Sequence, residues 1–134
     1  MPRLAAGRFA LFKKLSYNNC MISPYLKELK TTIFDIETMG LMSYKDMIIS
    51  ASFYNPSDQS CISYFADSPA DEINLILDIY RTLSEYNVVV TYNGDSFDLP
   101  FVNARAKKYR LDIEYPRFFR VDLYRWIKKY WPPA

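Results

Sequence analysis

Two acidic side chains stand two positions apart in the stretch Ile33-Phe34-Asp35-Ile36-Glu37-Thr38-Met39-Gly40. Thr31 to Glu37 is rich in β-branched and aromatic residues, which predicts a strand. Side chains i and i+2 of a strand share a face, so Asp35 and Glu37 point one way while Phe34 and Ile36 point into a core on the other. Two carboxylates this close repel each other unless a cation sits between them. A hard divalent metal with oxygen ligands resolves that conflict. For a bare Asp-x-Glu pair, an edge strand with a solvated polar face is the simpler explanation.

A third carboxylate changes the balance. Asp98 lies in Thr91-Tyr92-Asn93-Gly94-Asp95-Ser96-Phe97-Asp98-Leu99-Pro100-Phe101, directly after the apolar run Val88-Val89-Val90. That run is typical of a buried parallel strand. In open α/β sheets ligands gather at the carboxyl ends of such strands. Asp98 could instead cap the helix that contains Pro100. Asp95 or Ser96 would cap equally well, so capping does not account for all three polar residues. Asn93 fixes the turn through its side chain or is a turn residue and no more.

These residues need elements to hold them. Asp46 to Tyr54 predicts a second strand, ending at the turn Asn55-Pro56-Ser57-Asp58, and Cys61 to Ala66 a third, with short turns that suggest an antiparallel meander. Ser68 is an N-cap, Pro69 suits the first helical position, and Asp71 and Glu72 complement the helix dipole. Ile73, Ile76, Leu77, Tyr80 and Leu83 fall on one helical face. A helix is expected from about Asp98 to Tyr109, a strand at Phe118 to Asp122 and a last helix from Leu123 to Trp131, stopped by Pro132-Pro133. The order β-β-β-α-β-α-β-α implies an α/β mixed sheet, three antiparallel strands and then parallel ones, flanked by helices. This is the element order of the ribonuclease H-like fold.

The chain of 134 residues is read as one domain over 28–134, preceded by a basic extension over 1–27 that carries no acidic residue. An acid-free, basic N-terminus has the composition of a mitochondrial presequence, while a loosely ordered extension of a cytoplasmic protein is the preferred reading. No run is long and apolar enough to span a membrane, and no membrane partner is expected. Cys20 and Cys61 lack the spacing of a zinc site or a disulfide framework, which fits a reducing compartment. The chain contains no His, which excludes a histidine base. Residues 1–104 carry 8 basic and 12 acidic side chains, whereas 105–134 carry 9 basic and 3 acidic. The basic run Arg105, Lys107, Lys108, Arg110, Arg117, Arg120, Arg125, Lys128 and Lys129 is interleaved with Tyr109, Tyr115, Tyr124 and Trp126, and would follow a phosphate backbone or form a solvated helix face.

Phe34-Asp35-Ile36-Glu37-Thr38 on a first strand, with Tyr92-Asn93 and Phe97-Asp98 at a later strand-to-helix junction, strongly resembles the first two motifs of the DEDD 3′–5′ exonuclease superfamily. That superfamily includes DnaQ-like proofreading domains and the exonuclease domain of family B DNA polymerases. Thr91 to Phe101, followed by Arg120-Val121-Asp122-Leu123-Tyr124-Arg125-Trp126-Ile127-Lys128-Lys129-Tyr130, looks closest to its YprB-like branch. The resemblance covers roughly 30–131 and implies phosphodiester hydrolysis at a DNA or RNA 3′ end with two Mg²⁺ or Mn²⁺ ions. It implies that Asp35 bridges both ions, that Glu37 ligates one and helps hold the attacking water, and that Asp98 is a further ligand. Thr38, Met39 and Leu41 match the segment beside the terminal nucleotide, and Asn93 and Phe97 lie in the second motif. Asp122 matches a segment usually written His-x-Asp-Leu, with Arg120 in place of the His, and is read as a structural or secondary residue.

The family's fourth carboxylate, on a later helix, has no counterpart. Tyr54 to Asp58 has its spacing but precedes Asp98 and lies in a proline turn. The expected domain is therefore C-terminally incomplete, with apolar surface uncovered near Trp126, Ile127 and Trp131, inviting a partner or a homodimer. The leading reading is a metal-dependent 3′–5′ exonuclease. Its competitors are a truncated non-catalytic nucleic-acid-binding or interaction domain of the same fold, and a ribonuclease H-like nuclease that cuts internally.

Overall fold

The computed structural model describes residues 29–131. The basic stretch 1–27, Cys20 and the Pro132-Pro133 stop lie outside the described residues, so the expectations placed on them are not taken further.

The elements run β1 (Thr31–Thr38), β2 (Ile48–Asn55), β3 (Ser60–Phe65), α1 (Pro69–Leu83), β4 (Val88–Thr91), α2 (Asp98–Lys108), β5 (Phe119–Asp122) and α3 (Leu123–Tyr130). The five strands form one sheet in the order β3-β2-β1-β4-β5. β1 pairs antiparallel with β2 and β2 antiparallel with β3, whereas β4 runs parallel to both β1 and β5. This is the mixed sheet that the element order predicts. Among the described residues no helix is long and apolar enough to cross a membrane.

β1 is the central strand, which removes the edge-strand explanation of its acidic pair. Both of its faces are covered: Phe34 is 1% exposed and Asp35 only 7%. Phe34 stacks on Phe53 of β2 with ring centroids 4.9 Å apart. Ile48, Leu75, Ile76, Ile79 and Val89 complete the buried layer between sheet and α1. Each such side chain contributes about 1.5–3 kcal/mol by leaving water.

α1 starts as its sequence requires. Ser68 Oγ accepts the Asp71 N–H at 3.4 Å and donates to Asp71 Oδ2 at 2.6 Å, and Pro69 opens the helix. Its buried face is rotated from the expected one. Leu75 and Ile79 are fully buried, Ile73 and Leu77 only half so, and Glu72 is 0% exposed rather than a solvated dipole partner. A two-sided stripe explains this, because α1 packs on β2 and β3 and also against α2.

The β1–β2 connection runs over 39–47, close to the span expected, with β2 beginning at Ile48 rather than Asp46. It is a closed loop. The Met39 N–H donates to Met47 O at 2.9 Å, and Met42 N–H donates to Asp46 Oδ2 at 2.9 Å. A Cβ on Gly40 would lie 2.3 Å from Asp46 Oδ2, so a side chain there would have to move that carboxylate off the Met42 N–H. Pairing shifts register between Glu37 and Thr38, a bulge at the end of β1 that carries the acids.

Candidate active site

The sheet has its topological switch at β1 and β4, which are neighbours and parallel while β2 lies on the other side of β1. Their pairing ends at Ile33 with Val90, and the chains separate beyond it. A crevice of this kind, at the carboxyl ends of strands, is where ligands bind in open α/β sheets.

Asp98 stands in that crevice. It is 2% exposed, and its Oδ1 accepts the Ile36 N–H at 3.1 Å. The N-cap position of α2 is Phe97, with no side-chain cap, so neither Asp98, Asp95 nor Ser96 serves as the cap. Asp98 instead reaches across to β1 and holds the strand between Asp35 and Glu37. A cavity of about 520 Å³ opens beside it, lined by Glu37, Thr38, Leu41, Asn93, Phe97 and Asp98, with Tyr92 and Tyr124 on its wall. Most of the residues expected at a substrate end or metal are thus brought together. Met39 is not on the lining and is 70% exposed, and Asp35 is buried beneath on β1.

The donor set consists of hard carboxylate oxygens, which suits a divalent cation. Among the described residues, however, no three Asp, Glu, Cys or His side chains stand close enough together to hold a metal ion. The fit is therefore one of donor type and location, without a closed ligand cluster.

The turn from β4 into α2 is built by Asp122. Its Oδ1 accepts the Asn93 N–H at 2.8 Å and the Tyr124 N–H at 3.0 Å, while Oδ2 accepts the Asp95 N–H at 3.2 Å. One carboxylate thus caps α3 and clamps the Asn93 turn. Asn93 is a turn residue with a left-handed backbone, φ 63°, and its carbonyl accepts the Phe97 N–H at 3.0 Å. Gly94 packs so closely that a Cβ would fall 2.3 Å from Thr91 Oγ1. Asp122→Ala strips the acceptor from three N–H groups, and a loss of at least about 2 kcal/mol is expected in urea unfolding. A change below about 0.5 kcal/mol would show that the clamp does not matter.

The basic run does not form one continuous track. Arg105 is 2% exposed, not solvated. Its Nε donates to Glu72 Oε1 at 2.7 Å, its Nη2 donates to Glu72 Oε2, and its Nη1 donates to Ser43 O at 3.1 Å. Tyr109 Oη donates to Glu72 Oε2, and Ile48 N–H to Glu72 Oε1 at 2.9 Å. Lys108 Nζ donates to Tyr44 O at 2.9 Å. α2 thereby fixes the 39–47 loop that borders the cavity. Burial alone would raise the Glu72 carboxyl, but the hydrogen bonds from Arg105, Tyr109 and Ile48 hold it below its ordinary value. Arg125 and Arg120 lie 3.2 and 3.8 Å from Asp95.

The sequence reading missed this network. A signal was present: Glu72 falls in the apolar stripe with Leu75, Ile76 and Ile79, and Arg105 in that of Phe101, Val102 and Ala106. Opposite charges on two apolar stripes predict a buried pair.

α3 buries none of its residues. Trp126 is 55% and Trp131 77% exposed, as expected for an uncovered surface.

The ribonuclease H superfamily model matches residues 32–131. The chain belongs to that superfamily. It is 36% identical over 106 residues to a DNA polymerase of Methanocaldococcus jannaschii, an alignment covering 72% of this chain. It is 28% identical over 138 residues to the catalytic subunit of DNA polymerase epsilon from Schizosaccharomyces pombe, covering 88% of this chain. Each alignment spans only 6% of the relative. The family B DNA polymerase of Pyrobaculum calidifontis superposes with a TM-score of 0.65 at 23% identity, over 78% of this chain and 16% of that one. That likeness establishes the same fold.

Proposed function

We propose that this chain is a metal-dependent 3′–5′ exonuclease domain acting on DNA or RNA ends. The observation that carries the reading is the meeting of two separate acidic motifs in one crevice, with Asp98 hydrogen-bonded to the β1 backbone between Asp35 and Glu37. The similarity to DNA polymerases supports the substrate class. Asp35, Glu37 and Asp98 would supply the carboxylate oxygens for Mg²⁺ or Mn²⁺. A metal held by these carboxylates would supply an activated water and would offset charge on the leaving 3′ oxygen. The protein's own part is positional. Asp98 fixes β1 between its two acids, of which Glu37 lines the cavity and Asp35 lies buried beneath it, while Thr38, Leu41 and Phe97 line the space for a terminal nucleotide.

The absence of a three-carboxylate cluster among the described residues favours one alternative, a nucleic-acid-binding domain that keeps the fold without cutting. Mn²⁺-dependent degradation of a 5′-labelled, 3′-tailed DNA and RNA pair decides between them. A stepwise ladder of shortened products supports the exonuclease, and intact substrate that is nonetheless bound supports the alternative. Internal cleavage of a 3′-blocked substrate would show a ribonuclease H-like endonuclease instead.

The exposed aromatic face of α3 is proposed as a contact for a partner or a second copy of this chain. Sedimentation over a rising concentration series is expected to show association. Trp126→Ala, Trp131→Ala together should reduce it, and a monomer at all concentrations would rule out the homodimer.

A further inference from the structure

A second groove, of about 560 Å³, lies beside the α2 N-terminus. Its walls are Asn103 of α2 and Tyr115, Arg117, Phe118 and Arg120 of the returning chain. Asp98 lines the first cavity, and the next two residues, Leu99 and Pro100, line this one. Arg120 also lies 3.8 Å from Asp95, in the turn that carries Asn93. The two spaces are therefore neighbours around one helix end.

The groove has built walls. Tyr115 packs edge-on against Tyr80 with centroids 6.0 Å apart and lies 6.2 Å from the Phe118 ring. Tyr80 Oη donates to Asn103 Oδ1 at 3.4 Å, which ties α1 to α2 beneath it. Tyr115 remains 43% exposed, so its ring is both anchored and accessible. Among the described residues no acidic side chain is paired with Arg117, and Arg120 meets Asp95 only at long range. Asp112 and Glu114, in the same segment, are not on the groove. Guanidinium groups beside accessible rings are the pairing that holds single-stranded nucleic acid, phosphates on the cations and bases on the rings.

We propose that this groove binds single-stranded nucleic acid next to the candidate active site, with Arg117 and Arg120 contacting phosphates and Tyr115 stacking on a base, its ring backed by Phe118, which packs against the core. The proposal deepens the nuclease reading, and rests on it, by giving its substrate a single-stranded path. An acidic protein segment is the competing ligand, but it would use the arginines and leave the Tyr115 ring idle.

The test is fluorescence anisotropy of a labelled single-stranded 12-nucleotide DNA with the purified chain in EDTA, so that cutting plays no part. The slope of log affinity against log salt is expected to fall by about 1.4 in Arg117→Ala, Arg120→Ala, since each phosphate contact on a single strand contributes about 0.7. Tyr115→Leu should weaken binding about 5- to 100-fold at unchanged slope. Lys30→Ala, Arg81→Ala removes the same charge outside the groove and should leave both quantities near wild type.

An equal fall in slope in that control pair would overturn the proposal in favour of general surface charge. Wild-type affinity in the Arg117, Arg120 variant would overturn it outright. Displacement of the DNA by polyglutamate, with Tyr115→Leu binding as wild type, would overturn it in favour of an acidic protein segment. Groove-dependent binding without Mn²⁺-dependent cleavage supports the groove and refutes the nuclease reading alone. Cleavage by a chain whose binding ignores Arg117 and Arg120 refutes the groove alone.

Discussion

Arg105→Met is expected to destabilise the chain by about 3–5 kcal/mol in urea unfolding, the largest effect of any single substitution considered. The reason is the partner left behind. Glu72 is 0% exposed and would keep a buried carboxylate without its guanidinium. Adding Glu72→Gln should recover much of the loss, because the amide oxygen still accepts the Ile48 N–H while the buried charge is gone. The gain from that second change is the discriminating quantity. If Arg105→Met costs under about 1 kcal/mol, the guanidinium is not what balances Glu72.

Acid should reveal the same pair. The Glu72 carboxyl is held below its ordinary value of 4.5 in the folded protein. A depressed folded value means that the contribution is fully present above the unfolded value and is lost as pH falls through the folded one. In Arg105→Met the buried carboxyl is pushed upward instead, so acidification relieves the variant. The stability gap between wild type and variant should therefore narrow as pH falls, first above about 4.5 as the variant's raised carboxyl protonates and then below it as wild type loses its pair. A gap independent of pH would place the loss in packing rather than charge.

Asp35→Ala is expected to abolish Mn²⁺ binding and any cleavage, a loss of roughly 100-fold or more in rate, while the sheet stays folded. Asp35 is 7% exposed in the central strand, so Asp35→Asn is the necessary companion. It keeps the volume and removes the charge. Circular dichroism checks the fold, and Mn²⁺ titration followed by electron paramagnetic resonance reads binding without reference to cleavage. Unchanged Mn²⁺ affinity in Asp35→Asn would end the metal-site reading.

Much of the architecture was legible along the chain. The acidic pair on β1, the Ser68-Pro69 start of α1 and the apolar run of β4 are local patterns, set by residues a few positions apart. Local patterns also fix which face a strand side chain takes, so Asp35 and Glu37 were placed together before any fold was known. The span of the β1–β2 loop was legible, but not its anchoring, because Arg105 and Lys108 that hold it lie some sixty residues away. The face of α1 was misjudged because it packs on two elements at once.

The sequence by itself determined the strand and helix types, their order, and the presence of three carboxylates at two strand ends. Tertiary structure alone decided that β1 is central, that Asp98 bonds to the Ile36 N–H instead of capping its helix, and that Arg105 is buried against Glu72. It also decided that Asp122 clamps the Asn93 turn and that Arg117 and Arg120 share a groove. The division has a physical cause. Backbone propensity and side-chain alternation act over a few residues, whereas the partner of a buried charge or hydrogen-bonding group is chosen by which distant segment the sheet brings within about 3 Å.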